Sequence, residues 1–209
     1  MKLFLSIFLA VLMLGIPSLA LAEYDYESIK TPNVIVLDAN DTSDVFFEHN
    51  ADQKVYPAST TKIMTALIAL ENGNLDDEFA VGEEVLGTTT KFSSYSSLMG
   101  IQPGETYTLR ELVYGLMLVS GNDAAEAIAK HVAGSVDAFV NLMNQKAAEL
   151  GMTNTHFANP HGTPNDDHYS TPRDMANLMA YALKNEAFIQ IAETKEYTIP
   201  ADSIRTTDL

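Results

Sequence analysis

Cysteine and tryptophan are absent from this 209-residue sequence, and positive charges are few. A chain without cysteine forms no disulfide bonds and cannot carry a lipid attached through cysteine. Only 12 Lys and Arg residues stand against 28 Asp and Glu residues, which gives a formal net charge of −16. So acidic a chain repels nucleic acid and anionic lipid headgroups. We therefore expect no nucleic-acid partner and attribute the charge to solubility.

Internal repeats, low-complexity tracts and linker-like stretches are also lacking, so we expect one folded domain, residues 23–209, after a signal peptide of residues 1–22. Lys2 precedes an apolar run from Leu3 to Ile16, and Ala20-Leu21-Ala22 has the A-x-A pattern of a cleavage site. The alternative is a transmembrane anchor, but the run is shorter than the roughly 20 residues that a span needs. Together with the lack of cysteine, this pattern predicts an extracytoplasmic protein of a bacterial cell envelope.

The hydrophobic pattern predicts both strands and helices. Residues 33–38 and 44–49 are predicted to form a hairpin, because turn-forming residues lie between them. The helix predicted from Ser59 to Asn72 is apolar on most of its sides, as expected of a buried central helix, and Gly73 suits its C-cap. Residues 74–103 contain many turn formers and little periodicity, and the serine-rich cluster at residues 93–97 is predicted to be an irregular surface or cleft-lining segment. Further predicted elements are helices at 108–119, 122–134, 135–150 and from Thr171 onward, and a strand at 195–199.

Ser59 and Lys62 lie three residues apart at the start of the predicted central helix, so their side chains share one face. There the Lys62 amine can take the proton of the Ser59 hydroxyl and make it a nucleophile. The helix N-terminus and burial both disfavour the ammonium form of Lys62, and the Ser59 backbone N–H can stabilise an oxyanion. Taken alone, however, the spacing favours an ordinary N-cap serine beside a surface lysine.

A second candidate pair is Ser120 and Asn122, with Gly121 between them, at the junction of two predicted helices. The pair can complete a proton relay and hold a substrate amide, but taken alone the motif is better explained as a simple cap between the helices.

Three histidines, His156, His161 and His168, raise the question of a zinc site. Their five- and seven-residue gaps in turn-rich sequence fit no ligand pattern. We therefore expect structural roles in loops for them, and no metal.

Four longer segments occur in order: residues 57–65 (Pro-Ala-Ser-Thr-Thr-Lys-Ile-Met-Thr), 114–125 (Tyr-Gly-Leu-Met-Leu-Val-Ser-Gly-Asn-Asp-Ala-Ala), 159–162 (Asn-Pro-His-Gly) and 168–171 (His-Tyr-Ser-Thr). In them the sequence resembles the low-molecular-weight penicillin-binding proteins, the serine-type D-alanyl-D-alanine carboxypeptidases of peptidase family S11. The resemblance covers about residues 33–192. It implies an α+β fold of the serine β-lactamase and penicillin-binding type, in which an antiparallel sheet is flanked by helices and the Ser59 helix is central.

The same resemblance implies that Ser59 is the acylated nucleophile and Lys62 its general base. Ser120 would relay a proton towards the leaving group, and Asn122 would bind a substrate amide. The implied reaction removes the terminal D-Ala from peptidoglycan stem peptides through an acyl-enzyme, β-lactams would acylate Ser59, and no cofactor is needed. The alternatives are a β-lactamase or peptidoglycan endopeptidase of the same fold, or an inactive fragment that binds the cell wall.

The family's third motif, Lys-Thr-Gly or Lys-Ser-Gly, does not occur in the sequence. In the family it lies on a strand beside the nucleophile, downstream of the last matching segment, and supplies a cation for the substrate carboxylate and a second oxyanion N–H. We therefore expect the catalytic domain, residues 23–209, to be incomplete at its C-terminus. Membrane anchoring would then require a segment that follows Leu209.

Overall fold

A computed structural model describes residues 26–82 and 96–201, except the side chain of Glu27. The predicted signal peptide and residues 83–95, which include part of the cluster predicted to be irregular at 93–97, lie outside the described residues. The chain divides into two units after Thr31. In the first unit the described residues include a 3₁₀ turn at Tyr26–Ser28, and the second unit holds the strands and helices.

Short antiparallel strand pairs provide the β structure of the described residues. Strands β1 (Val34–Leu37) and β2 (Val45–His49) pair with Val34 opposite His49, which confirms the predicted hairpin. Strands β3 (Glu78–Ala80) and β4 (Thr106–Thr108) form a second pair. Strand β3 lies in the stretch 74–103, where the sequence shows little periodicity and predicts no strand. Three residues are too few to show a strand's alternation in the sequence.

The described residues form six α-helices, and several of their ends follow the predicted caps. Thr108 and Glu111 exchange hydrogen bonds in a capping box, Ser135 and Thr171 cap two other helix starts, and Gly134 ends a helix with a φ of 77°. The helices are α1 (Lys62–Asn72), α2 (Leu109–Leu118), α3 (Asn122–Ala133), α4 (Val136–Glu149), α5 (Pro172–Ala182) and α6 (Glu186–Glu193). None of these helices is both long and apolar enough to cross a bilayer.

Helix α1 lies at the centre of the helical layer and contacts the other five helices. Its residues from Met64 to Ala69 are all buried, which confirms the prediction of a central, largely apolar helix. The helix begins at Lys62 rather than Ser59, because Ala58–Thr61 form a 3₁₀ turn ahead of it. Ser59 therefore lies in a turn that leads into the helix, and Gly73 ends the helix as expected.

The strand predicted at residues 195–199 is wrong. This segment has no strand partner among the described residues and instead docks through its side chains. The Tyr197 ring stacks on Tyr114 of α2 with centroids 3.8 Å apart, and Ile199 is buried in the core. Helix α6, which precedes it, was not predicted, although Asn185 caps it by accepting hydrogen bonds from the N–H groups of Ala187 and Phe188.

Candidate active site

The turn before α1, residues 57–61, exposes the Ser59 hydroxyl directly above a buried amine. Thr60 closes the turn by donating its N–H and its hydroxyl to the Pro57 carbonyl. Ser59 is exposed, whereas Lys62 is only 3% exposed. The Lys62 Nζ lies 3.4 Å from the Ser59 Oγ. An accessible hydroxyl next to a buried amine is the arrangement that an activated serine requires.

Three oxygen atoms surround the Lys62 Nζ. The amine donates to the Asn122 Oδ1 at 2.7 Å and to the His161 carbonyl at 2.8 Å, and the third neighbour is the Ser59 Oγ. An ammonium has three hydrogens for these three acceptors, but a neutral amine has two hydrogens and one lone pair. If the two shorter bonds are kept, the lone pair of the neutral amine points at the Ser59 hydroxyl.

Burial brings the pKa of Lys62 into a useful range. Desolvation lowers the pKa to about 8, and the nearby Asp123 carboxylate opposes this shift. The predicted direction of the shift is thus confirmed. A substantial fraction of the amine is neutral at mildly alkaline pH, which suits a general base.

The turn between α2 and α3 carries Ser120 in the left-handed region, with a φ of 58°. The Gly121 N–H donates to the Gly115 carbonyl, and the Asn122 N–H donates to the Ser97 carbonyl. The N-cap of α3 is Gly121, so Ser120 itself is not the cap, and the Asp123 carboxylate accepts the Ala124 N–H in the first turn. Ser120 is half-buried, and Asn122, two residues later, reaches the Lys62 amine.

The loop at residues 159–163 packs directly beneath the Ser59 turn. Gly162 has a φ of 88°, and a Cβ at this position would lie 1.8 Å from the Ala58 carbonyl oxygen. Only glycine allows both the conformation and the close approach. The Asn159 side chain holds the loop by accepting the N–H groups of His161 and Gly162, and Thr65 of α1 donates to the Pro160 carbonyl.

His168 connects the Ser59 turn to the chain just before the loop at residues 159–163. Its Nδ1 accepts the Ala158 N–H, so we assign the proton of the neutral ring to Nε2, which lies 2.8 Å from the Thr61 Oγ1. Burial, followed by the neighbouring His161 and His156, lowers the pKa of His168 to about 4. The ring therefore stays neutral at physiological pH and acts as a fixed structural link.

Asp123 is an important residue that the sequence analysis missed. Its buried carboxylate accepts the backbone N–H groups of residues 99, 100 and 101 as well as that of Ala124. It thereby fixes the segment whose Ser97 carbonyl holds the start of α3. An acidic residue in the first turn of a helix is a common partner of the helix dipole, and this was the signal available in the sequence.

The D-alanyl-D-alanine carboxypeptidase family model matches residues 21–207. The chain belongs to this family. It is 38% identical over 166 residues to the D-alanyl-D-alanine carboxypeptidase DacF of Bacillus subtilis, a match that covers 77% of the chain and 41% of DacF. It is also 38% identical over 182 residues to DacA of Escherichia coli K12, covering 85% of the chain and 45% of DacA. The chain thus spans less than half the length of these two curated relatives.

Solved structures of the family confirm the predicted α+β fold. The D-alanyl-D-alanine carboxypeptidase of Mycobacterium tuberculosis H37Rv superposes with a TM-score of 0.74 at 35% identity, over 82% of this chain and 62% of that one. A mutant of the Streptomyces K15 DD-transpeptidase superposes with a TM-score of 0.77 at 32% identity, over 86% and 72% of the two chains. The helices that surround α1 therefore have the arrangement of penicillin-binding enzymes.

Proposed function

We propose that the protein is a serine-type D-Ala-D-Ala carboxypeptidase that acts through an acyl-enzyme on Ser59 and is acylated by β-lactams. The observation that carries this proposal is the buried Lys62 amine, which lies 3.4 Å from the exposed Ser59 hydroxyl and is oriented by two fixed oxygen acceptors. Membership of the family supplies the substrate class, the terminal dipeptide of peptidoglycan stem peptides.

In the proposed reaction, neutral Lys62 takes the Ser59 proton while the Oγ attacks the carbonyl carbon of the penultimate D-Ala. The peptide bond then breaks, Ser120 relays a proton to the departing D-Ala nitrogen, and the rest of the peptide stays on Ser59 as an ester. Water hydrolyses this ester and restores the hydroxyl. In this scheme the Ser59 N–H, in the turn that leads into α1, would stabilise the oxyanion.

Asn122 has two separate tasks in this scheme. Its Oδ1 already accepts a hydrogen bond from Lys62, so its Nδ2 is the group that remains for a substrate carbonyl. One side chain would thus align both the base and the peptide that the base activates.

The proposal is tested by the intact mass of the full-length protein with and without benzylpenicillin, together with D-Ala release from a peptide that ends in D-Ala-D-Ala. We expect one penicillin adduct on the wild-type protein and none on Ser59→Ala. Ser43→Ala, in the exposed turn of the β1–β2 hairpin, is the matched control and should be labelled like wild type. A wild-type protein with neither adduct nor D-Ala release would overturn the proposal, and rapid hydrolysis of penicillin would favour a β-lactamase.

We also propose that the protein is located outside the cytoplasmic membrane, after cleavage behind Ala22. The A-x-A pattern supports this location, and the family of cell-wall peptidases fits it. Protein isolated from its source should begin at Glu23, and an intact N-terminal segment would contradict cleavage.

A further inference from the structure

A buried acid on α3 has no place in the proposed reaction. Glu126 lies four residues after Asn122, so the two side chains project from the same face of the helix, one turn apart. The residue is only 7% exposed, and its Oε1 lies 3.2 Å from the Nε2 of the equally buried His161. His161 also supplies the carbonyl that binds Lys62.

The hydrogen bonds of His161 define the direction of this contact. The Thr163 N–H points at the Nδ1 of the ring at 3.3 Å, so Nδ1 is the acceptor and the neutral ring carries its proton on Nε2. The Nε2–H therefore donates to the Glu126 Oε1. A continuous chain of contacts runs from Glu126 through the His161 ring and backbone to the Lys62 amine.

The second carboxylate oxygen makes a structural role alone a poor explanation. The Glu126 Oε2 is buried and has no hydrogen-bond partner among the described residues. Burying such an oxygen is unfavourable, and an apolar side chain of similar size would fill the space without that penalty. An acid at this position is therefore better explained by the hydrogen bond between its Oε1 and the His161 ring.

We propose that Glu126 is a positioning residue for acylation, an inference that rests on the proposed function. Its carboxylate fixes the His161 ring and so adds to the contacts of Asn159 and Thr65 that hold the backbone on either side of the carbonyl bound to Lys62. A small shift of that carbonyl would turn the lone pair of neutral Lys62 away from Ser59. The family's shared chemistry does not require this acid, because Ser59, Lys62 and Asn122 already meet without touching it.

The titratable groups that face this cluster come from three parts of the fold. Helix α3 supplies Asp123 and Glu126, the loops after α4 supply His161 and His168, and α1 supplies Lys62. Asp123 is the carboxylate that acts on Lys62 by its charge. Glu126 instead acts through the position of its acceptor oxygen. The variants therefore separate loss of the charge from displacement of the acceptor.

The test compares Glu126→Gln with Glu126→Asp. Gln keeps the length of the side chain and an acceptor oxygen but loses the charge, whereas Asp keeps the charge and withdraws the acceptor by one methylene. We measure the second-order rate constant for acylation by a fluorescent penicillin from pH 6 to 10 in the full-length protein. Positioning predicts that Glu126→Gln stays within about threefold of wild type and that Glu126→Asp falls by about tenfold.

Glu126→Met and Asp166→Asn complete the set. Met has a similar length but no strong acceptor, and we expect a fall of about 10- to 100-fold in the rate constant. The midpoint of its pH profile should also move down, because the Lys62 ammonium loses a bound carbonyl. Asp166→Asn removes one charge from an exposed position of the same loop region and should match wild type.

Two results would overturn the inference. If Glu126→Asp reacts like wild type and Glu126→Gln is slow, the residue acts by charge rather than by position. If the variants only unfold more easily, while the folded fraction keeps its rate constant and pH midpoint, the role is structural. Absence of acylation in the wild-type protein instead overturns the proposed function, so the two failures are distinguishable.

Discussion

Two turns carry the candidate catalytic serines, and they are held in different ways. The Ser59 turn is fixed by close packing and neutral hydrogen bonds from one distant segment, through Gly162 and His168. The Ser120 turn is fixed by one buried charge, the Asp123 carboxylate, which orders the neighbouring backbone. Both turns place a non-glycine residue in the left-handed region, Ala58 with a φ of 49° and Ser120 with a φ of 58°.

The contrast shows two ways of stabilising an unfavourable backbone conformation. A left-handed residue other than glycine raises the free energy of the fold by about 1–2 kcal/mol, so its surroundings must compensate. Around Ala58 the stabilisation comes from close packing against Gly162, which a larger side chain at that position would disrupt. Around Ser120 it comes from the Asp123 carboxylate, and a neutral side chain without an acceptor would remove it.

The largest effect is expected from Asp123→Ala, which leaves a set of backbone N–H groups without their acceptor. We expect the free energy of unfolding to fall by about 3 kcal/mol, measured by urea denaturation. Asp137→Ala, in the exposed first turn of α4, is the control and should change it by less than about 0.5 kcal/mol. Equal losses in the two variants would show that the carboxylate does not hold the Ser120 turn.

A somewhat smaller loss of stability is expected from Gly162→Ala, which disrupts the packing of the Ser59 turn. The added Cβ would overlap the Ala58 carbonyl, so we expect a loss of about 2 kcal/mol or more and slower acylation. Gly151→Ala is a matched control, because Gly151 has a φ of 70° but open space around its Cβ position. The difference between the two variants isolates the close approach, and its absence would contradict packing as the stabilising factor.

The smallest effect at neutral pH is expected from the His168 link, which becomes visible on acidification. An ordinary histidine binds a proton near pH 6.5 in the unfolded chain, whereas folding lowers the pKa of His168 to about 4. Stability should therefore fall as the pH drops from 6.5 to 4, by up to about 3 kcal/mol. Urea midpoints across this range check the slope, and His168→Asn, which retains an acceptor near Ala158, should flatten it. An unchanged slope in the variant would assign the acid sensitivity to other groups.

The sequence was sufficient to predict those features that depend on neighbours along the chain. The β1–β2 hairpin, the capping box at Thr108 and the central helix follow from turn residues and hydrophobic spacing. The helical spacing grouped Ser59 with Lys62, and the four family segments gave the fold class and favoured a catalytic role for the pair over an N-cap. The low pKa of Lys62 followed once its helix was predicted to be buried.

The features that were missed depend on contacts between segments far apart in sequence. Gly162 is essential only because the Ala58 backbone lies against it, and Asp123 matters because it reaches residues more than twenty positions earlier. Glu126 looks like any helical acid until His161 is placed beside it. The segment at 195–199 has the alternation of a strand but lacks a partner among the described residues, so tertiary packing overrode its local preference.

The stacked rings of Tyr114 and Tyr197 also provide an optical signal. They lie 3.8 Å apart and nearly parallel, with 11° between their planes, and the sequence contains no tryptophan. Absorption near 280 nm therefore comes from tyrosine alone, and a fixed, closely stacked pair should dominate the near-ultraviolet circular dichroism. Undocking of the segment that follows α6 can thus be followed spectroscopically, without a label and separately from loss of the helices.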